Sequence, residues 1–268
     1  MYTISTMRPD FVTTTQTLNS DPLEEGTSQA VKVQLKLREM VLAGALQAGS
    51  RITELGLVEK LGVSRTPIRA ALIRLEQEGL LQQMPSGGFA VRKFSEADVA
   101  DAIELRGTVE GLAARMAAER GTSDEDLSRA NQYLDEIDLL LREPVLNEEA
   151  FSRYVDLNAQ FHVLFGDLAA SPVIQRELDR VGSLPFASPS GFVGVQANSP
   201  KARDMLIVAQ DQHRQVMQAI AQREGARAEA VMREHSRLAQ RNLREAVRSP
   251  VDFPSAHLPG VHLISPSS

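Results

Sequence analysis

The sequence predicts a mainly α-helical fold with two domains: an N-terminal winged helix-turn-helix of three helices plus a β-hairpin wing, and a C-terminal six-helix antiparallel bundle. Three observations lead to this fold class. The chain has 268 residues, which is too long for one small module. Its N-terminal part combines three helical patterns with two strand patterns around a turn. Its remainder contains six helical patterns joined by short links and no convincing strand.

Composition excludes several classes of protein. Hydrophobic residues make up 43% of the chain, which is enough to bury a core, so wholesale disorder is not expected. The absence of cysteine excludes a disulfide framework, thiol catalysis and Cys-ligated zinc. The N-terminus has no signal-peptide pattern, and the chain has no run of about 18 apolar residues. We therefore expect a cytoplasmic protein with no membrane partner.

Charge is divided unevenly along the chain. Residues 29–93 contain ten Lys and Arg against five Asp and Glu, whereas residues 94–248 contain 18 against 25. A basic segment joined to an acidic one indicates that the first binds a polyanion such as DNA. Taken alone, the charge pattern is explained equally well by chance clustering.

The basic segment, residues 29–93, is predicted to be one small domain. The polar residues 1–28 before it are expected to form a flexible arm. The first helix has apolar residues at roughly helical spacing: Val31, Leu35, Leu37, Val41 and Leu42. The second helix (TELGLVEKLG, 53–62) and the third (SRTPIRAALIRLEQEG, 64–79) each begin at a capping hydroxyl and end at a glycine.

The second and third helices have the lengths and the short link of a helix-turn-helix, in which the second helix of the motif reads the major groove. The residue types that such a surface needs stand where the third helix begins: Ser64, Arg65, Thr66 and Arg69. Arg65 and Arg69 are four apart, hence on one face, and arginine binds guanine O6 and N7 or phosphate. The segment LLQQMPSGGFAVRKF predicts two strands around a turn at Gly87 and Gly88. The alternative is a solvated basic face on a three-helix domain.

Six helical patterns occupy residues 94–248. They begin near Ser95, Ser123, Asn147, Ser171–Pro172, Ser199–Pro200 and Gly225. Helices with such short connections pack as an antiparallel bundle. The tail at residues 249–268 is dense in Pro and Ser and is expected to be flexible.

Three histidines fall on three different helices of this bundle: His162, His213 and His235. Asn158 lies four residues before His162 and projects from the same helix face. Inward-facing imidazoles from separate helices suit zinc, nickel or a similar ion. Isolated surface or core histidines are the open alternative. Arg106, in the first helix of the bundle, has Glu110 one turn later as a possible structural partner.

Two stretches resemble a known family. The segment LQAGSRI…LGVSRTPIRAALIRLEQEGLL…GGFAVR is similar to the winged helix-turn-helix of the GntR family of bacterial transcription regulators. The helical half, with DVADAIELRGTVEGLAARMAAERG and NAQFH, resembles the FadR branch, whose C-terminal FCD domain binds effectors. Its six helices are similar to those of the VanR-like subgroup. The resemblance spans residues 31–247 and implies a homodimeric repressor that binds an inverted-repeat operator and responds to a small organic acid.

The resemblance implies DNA contacts at six positions: Ser64, Arg65, Thr66, Arg69 and the wing-tip residues Gly87 and Gly88. The arginines would contact bases or phosphates, and the two hydroxyls would contact the DNA backbone. One position departs from the family pattern. Many members have an additional Arg early in the preceding helix, where this sequence reads Glu54, Leu55 and Gly56, so operator affinity or preference should differ from theirs.

The resemblance also implies an effector site. Metal-binding members of the FadR branch use an Asp and a His four apart, with one His on each of the last two long helices. These positions match Asn158, His162, His213 and His235. An amide oxygen is a weaker ligand than a carboxylate, so the implied zinc or nickel would bind less tightly. Arg106 matches an Arg that grips the carboxylate of the effector; the alternative without metal is that the imidazoles hold an acidic effector directly.

Two rival functions remain open. A bundle that only dimerises and senses no ligand would leave a DNA-binding protein without an effector. A metalloenzyme is a distant third, because the Glu-x-x-His motifs of di-metal bundles are absent, as are a P-loop, G-x-S-x-G and H-E-x-x-H. We therefore predict no enzymatic activity and no catalytic residues.

Overall fold

A computed structural model of the chain describes residues 22–143, 146–189, 202–248 and 260–265. The helices within them are α1 (Pro22–Leu42), α2 (Glu54–Leu61), α3 (Arg65–Gln77), α4 (Glu96–Arg120), α5 (Asp124–Leu140), α6 (Glu148–Leu168), α7 (Pro172–Gly182), α8 (Ala202–Ala221) and α9 (Gly225–Arg248). The strands are β1 (Arg51–Ile52), β2 (Leu81–Gln83), β3 (Phe89–Val91), β4 (Phe94–Ser95) and β5 (Ile264–Ser265). The mainly α-helical fold class, with a winged helix-turn-helix followed by a bundle, is confirmed. None of the described helices has the combined length and apolarity needed to cross a membrane.

The wing is an antiparallel pair of β2 and β3, as the sequence predicts, with Gln82 opposite Ala90. A third strand, β1, pairs with the other edge of β3. Sequence patterns missed β1, because two residues are too few to show an alternating pattern. The added strand ties the wing to the start of the helix-turn-helix.

The helix-turn-helix has the predicted signals at its boundaries. The Thr53 hydroxyl accepts a hydrogen bond from the Gly56 N–H at the start of α2, and Gly62 ends that helix with a φ of 66°. Such a left-handed conformation is accessible to glycine at little cost. Ser64 has the extended backbone of an N-cap, but its side chain makes no capping hydrogen bond.

The buried face of α1 includes Leu37 and Val41 from the predicted set but not Val31 or Leu35. Its core residues are Val33, Leu37, Met40 and Val41, together with Ala30, whereas Val31 is 39% and Leu35 is 55% exposed. At about 100° per residue, Val31 and Leu35 lie on the helix side opposite the buried residues. The helix also begins at Pro22, so the prediction of a flexible arm as far as residue 28 is wrong from residue 22 onward. Residues 1–21 lie outside the described part.

The second domain is built around a close pair of antiparallel helices, α4 and α9. A Cβ added at Gly107 would lie 2.0 Å from the Ser236 Oγ, and one at Gly111 would lie 2.8 Å from the Arg233 Cγ. These glycines therefore permit a backbone approach that alanine would block. The helices α5 to α8 complete the six-helix bundle in the described residues, and the predicted cap at Ser199–Pro200 lies outside them.

Part of the C-terminal tail is ordered. Gly260 donates its backbone N–H to the Leu42 carbonyl at 2.9 Å, a single 3₁₀ turn follows, and β5 pairs in parallel with β4. Leu263 is fully buried in a core that also includes Phe94 and Leu243. The prediction of a flexible tail is thus wrong for residues 260–265, because two apolar side chains within the Pro- and Ser-rich sequence have a core to fill.

Candidate DNA interface and effector site

The predicted reading residues lie together on an open surface. Ser64, Arg65, Thr66 and Arg69 are all exposed at the N-terminal end of α3, and the Arg69 side chain is 72% exposed. The free N–H groups of a helix N-terminus and two guanidinium groups on one helix face attract phosphate and base acceptors. This surface has the chemistry that the major groove of DNA requires.

An acidic residue stands beside one of these arginines. The Glu54 Oε1 lies 3.8 Å from the Arg69 Nε, and Glu54 belongs to the stretch of three residues in which the family resemblance leads us to expect an arginine. A carboxylate there competes with DNA for the guanidinium group and repels phosphate. A carboxylate at the start of α2 therefore lies beside one of the predicted DNA contacts.

The wing tip is held by a residue that sequence reasoning missed. The Arg51 guanidinium donates to the Gly87 carbonyl at 3.0 Å and the Ser86 carbonyl at 3.3 Å. Gly87 and Gly88 have φ values of 80° and 84°, which disfavour any residue with a Cβ. The only sequence signal for this role of Arg51 was its place just before the helix-turn-helix.

In the second domain, the three predicted histidines come together. The ligand nitrogens of His162, His213 and His235 all lie within 4.8 Å of one another, and each residue is buried. The Nε2 atoms of His213 and His235 are 3.1 Å apart. Asn158 is 2% exposed and lines a small cavity beside His235. The alternative of isolated histidines is therefore wrong for this bundle.

Two polar side chains orient the imidazoles. The His162 Nδ1 lies 2.8 Å from the Glu110 Oε1, and the His213 Nδ1 lies 3.3 Å from the Gln210 Oε1. Gln210 is fixed in turn, since its Nε2 donates to the Leu134 carbonyl and to the Asp138 Oδ1. Because a carboxylate and an amide oxygen only accept, both imidazoles are assigned as Nδ1–H tautomers, with their Nε2 lone pairs directed away from these partners.

The remaining contact between two histidines requires a hydrogen between their nitrogens. Burial lowers the pKa of His213 and of His235 well below the ordinary value, so both are neutral at pH 7. With the His213 Nε2 assigned as an acceptor, His235 must donate from its own Nε2. The His162 Nε2 and the His235 Nδ1 are buried without a hydrogen-bond partner among the described residues. Polar atoms of this kind are costly in a dry core when they have no partner.

Arg106 has the structural partner that the sequence predicts, and its contact with an effector stays a prediction. Its Nε lies 3.5 Å from the Glu110 Oε2, which is the structural pairing. Burial opposes ionisation of Glu110, but the neighbouring charge of Arg106 and the hydrogen bond from His162 outweigh it and lower the pKa of Glu110 to about 2. The Arg106 Nε and Nη1 nevertheless have no hydrogen-bond partner within the described part of the chain. A buried cation with unused donors suits a carboxylate ligand.

Two cavities meet at Arg106 and Pro189. The smaller, of about 30 Å³, is lined by polar groups that include Tyr154, Asn158 and His235. The larger, of about 250 Å³, has Glu110 and His162 among its lining residues. Its other lining residues are mostly small or apolar: Ala159, Val163, Gln175, Leu178, Asp179, Gly182 and Ser188.

Sequence reasoning did not assign Gln210 or Tyr154 to this site, and it considered Glu110 only as a partner of Arg106. A signal for two of them existed. Gln210 stands one turn before His213, and Glu110 interrupts a run of small residues on the buried face of α4. A polar residue on an apolar helix face needs a buried partner. The sequence pattern does not show which histidine Glu110 and Gln210 face, and the fold does.

Two family models match the chain. Residues 29–91 match the family described as bacterial regulatory proteins, gntR family. Residues 101–238 match the FCD domain. The segment between the two matches contains β4 and the start of α4.

Individual relatives agree with these matches. An uncharacterized HTH-type transcriptional regulator in an unstable DNA locus of Streptomyces ambofaciens is 32% identical over 219 residues, which cover 79% of this chain and 84% of that protein. The uncharacterized HTH-type regulator YdhC of Bacillus subtilis is 28% identical over 162 residues, 60% of this chain and 70% of that one. The solved structure of McbR from E. coli shares the fold, with a TM-score of 0.54 at 17% identity over 81% of this chain and 97% of McbR. These families and relatives are regulators of transcription and not enzymes, as the sequence predicts.

Proposed function

Because the chain belongs to the GntR family of bacterial regulatory proteins, in the FadR-like branch with an FCD domain, we propose that it is a homodimeric repressor released by a small organic acid. The two reading helices of the dimer bind the half-sites of an inverted repeat, since a two-fold protein needs a two-fold operator. The acid binds in the bundle and favours one arrangement of the reading heads. Such a regulator acts in the cytoplasm, where its DNA lies.

The observation that carries the effector half of this proposal is Arg106. Its guanidinium is 2% exposed, lines both cavities and has donors without a partner in the described residues. A bundle that served only for dimerisation would have no need for a buried cation with unused donors, which is costly. This favours ligand sensing over the rival function.

The lining of the cavities supports a particular kind of acid. Arg106 is the one cationic side chain lining them in the described ranges, and Glu110 and Asp179 line the larger cavity. A second carboxylate on the ligand would meet these acids instead of another cation. We therefore infer a monocarboxylate whose body is apolar enough for the surfaces of Val163 and Leu178.

The three imidazoles also fit a divalent metal ion. Neutral nitrogens converge, and His162 and His213 each have the second hydrogen-bond partner that metal-bound histidines normally have. Zinc or nickel would be held by His162, His213 and His235, with Asn158 as a weak further ligand. When bound, the ion would add a positive charge that attracts the carboxylate of the effector.

Metal content tests this part of the proposal. Untagged protein purified without chelator is compared by elemental analysis with a His213→Ala/His235→Ala double variant. We expect about one equivalent per chain in the wild type and loss of the ion in the variant. Absence of metal from both, even after zinc or nickel is added, would exclude the metal and leave an acid held by imidazoles and Arg106.

Operator binding tests the reading surface. Arg69→Ala should abolish specific binding in gel shifts while the protein stays folded and dimeric, because the contact of one guanidinium with a base or phosphate is lost. Arg241→Ala removes an exposed guanidinium on α9 and serves as the control. Wild-type affinity in the Arg69 variant would overturn the assignment of this surface.

A thermal-shift screen with monocarboxylic acids separates the two functions that remain. A ligand of the folded protein raises its melting temperature, and the shift should disappear in Arg106→Ala. If no acid shifts the wild type and none changes operator affinity, the bundle only dimerises.

A further inference from the structure

One short segment lies between the cavities and the DNA-binding domain. Residues 185–189 follow α7, and at their far end Pro189 lines both cavities while Ser188 lines the larger one. Any ligand that fills the space beside Arg106 therefore lies against this segment.

The near end of the same segment touches the DNA-binding domain. A Cβ placed at Gly79, just after α3, would lie 3.7 Å from the Pro185 Cδ. The Phe186 ring packs edge-on against Phe94 of β4, with centroids 5.2 Å apart and planes at 82°. A Cβ at Gly260 would lie 3.0 Å from the Phe186 Cε1. Phe186 thus contacts β4 and also Gly260, at the start of the turn that leads into β5.

Phe186 is held in an unusual backbone conformation. Its φ is +65°, in the left-handed region that disfavours residues with a Cβ. The next residue, Ala187, is fully buried, and its N–H donates to the Leu184 carbonyl at 3.2 Å. Surroundings that hold such strain are frequent in switches and clamps.

We propose that Phe186 is a positioning residue that transmits occupancy of the cavities to the reading helix α3. A ligand that displaces Pro189 shifts the Phe186 ring against Phe94 and Gly260, and shifts Pro185 against the end of α3. This inference rests on the proposed function, because it requires that a ligand enters the cavities. It adds the physical route by which binding changes the reading head.

An engineered side chain can replace the unidentified ligand in the test. Ala159 is half-buried on α6 and lines the larger cavity, so Ala159→Trp places an indole in that space. The chain has no tryptophan, and the fluorescence of the new indole reports directly whether it is buried. Leu178→Trp fills the same cavity from α7. It is used if the fluorescence of the indole at position 159 shows that this indole is exposed to solvent.

Hydrogen exchange of residues 65–79 is then measured by mass spectrometry in four full-length proteins. These are the wild type, Ala159→Trp, Phe186→Ala and the double variant. We expect the cavity substitution to change exchange rates in 65–79 at least about threefold when Phe186 is present, and by less than about 1.5-fold when it is absent. Phe186→Leu keeps apolar volume and replaces Phe186→Ala if the alanine variant does not fold.

The control is Phe151→Ala, which removes a half-buried ring on α6 that packs in the bundle core instead of at the domain junction. It should leave the effect of the cavity substitution intact. An equal response with and without Phe186, or no response from a buried indole in the wild-type background, would overturn the proposal. If no acid binds the wild type but the engineered response still depends on Phe186, the effector proposal fails and the coupling stands.

Discussion

At the scale of single residues, we expect Glu54 to weaken the proposed DNA interface. Its carboxylate lies 3.8 Å from the Arg69 guanidinium, so Glu54→Gln frees that group and removes a charge that repels phosphate. We expect operator affinity to rise by about twofold to fivefold, in keeping with exposed ion pairs of at most about 1 kcal/mol. Fluorescence anisotropy with labelled operator measures this. Glu59→Gln, an exposed carboxylate on the same helix, is the control; an equal rise there would assign the effect to net charge alone.

A second residue-scale prediction concerns Asn158. Asn158→Asp supplies the carboxylate that metal-binding relatives are implied to have, and a charged oxygen binds a divalent ion more tightly than an amide. The melting temperature should therefore rise more on adding zinc than it does in the wild type. Without metal the variant should be less stable, because it buries a second carboxylate near Glu110. Asn242 lines the same small cavity, so Asn242→Asp is the matched control. If zinc raises the melting temperature of the two variants by similar amounts, Asn158 is excluded as a ligand position.

At the scale of elements, the start of α4 is fixed by a capping box. The Ser95 hydroxyl accepts from the Asp98 N–H, and the Asp98 carboxylate accepts from the Ser95 N–H. Ser95→Ala should lower the free energy of unfolding by about 1 kcal/mol, as for other N-caps. Urea titration measures this loss, with Ser123→Ala at the cap of α5 as the comparison.

The same cap predicts a pH dependence. Hydrogen bonds from the Ser95 backbone and hydroxyl lower the pKa of Asp98 below 3.8. A carboxyl group whose folded pKa is lowered stabilises the fold above its unfolded pKa, and this contribution is lost as pH falls through the folded value. The stability difference between wild type and Asp98→Asn should therefore be constant near pH 7 and shrink below pH 4. A difference that stays the same at low pH would show that the charge of Asp98 is not involved.

At the scale of the whole molecule, one hydrophobic core joins the two domains. It contains residues of α1, α3 and the sheet together with Ile103 of α4, Leu243 of α9 and Leu263 of the C-terminal turn. Leu263→Ala should lower the free energy of unfolding by about 2–4 kcal/mol, as for buried leucines elsewhere. Calorimetry measures it against Ser265→Ala, an exposed change two residues away. Equal melting temperatures for the two variants would contradict a structural role for the turn.

The sequence predicted those features that depend on local patterns. Short stretches of sequence are enough to predict the caps at Ser95 and Ser123, the wing glycines and the six bundle helices. All of these are observed in the described residues. The apolar face of α1 was misassigned because hydrophobic residues occur on both sides of that helix, and only packing selects one.

The site shows the same division. That the three histidines converge required a family resemblance, since spacing on separate helices carries no information on distance. The three-dimensional structure was needed to identify the partners of the histidines, Glu110 and Gln210. It was also needed to show that Arg51 holds the wing. The tail segment escaped detection because strand β5 has two residues, too few for any periodic signal.

The pairing of Phe94 with Ile264 also has a consequence for synthesis. The reading domain emerges first from the ribosome, yet it lacks Leu263 and β5 until the end of the chain is made. At typical translation rates, on the order of ten seconds or more separate Phe94 from Ile264. A chain terminated after α9 would present a reading domain with an open edge at β4 and an unfilled core. Completion of the winged-helix domain is thereby tied to synthesis of the helical bundle, and we expect a fragment that ends after α9 to bind operator DNA less well than the whole chain.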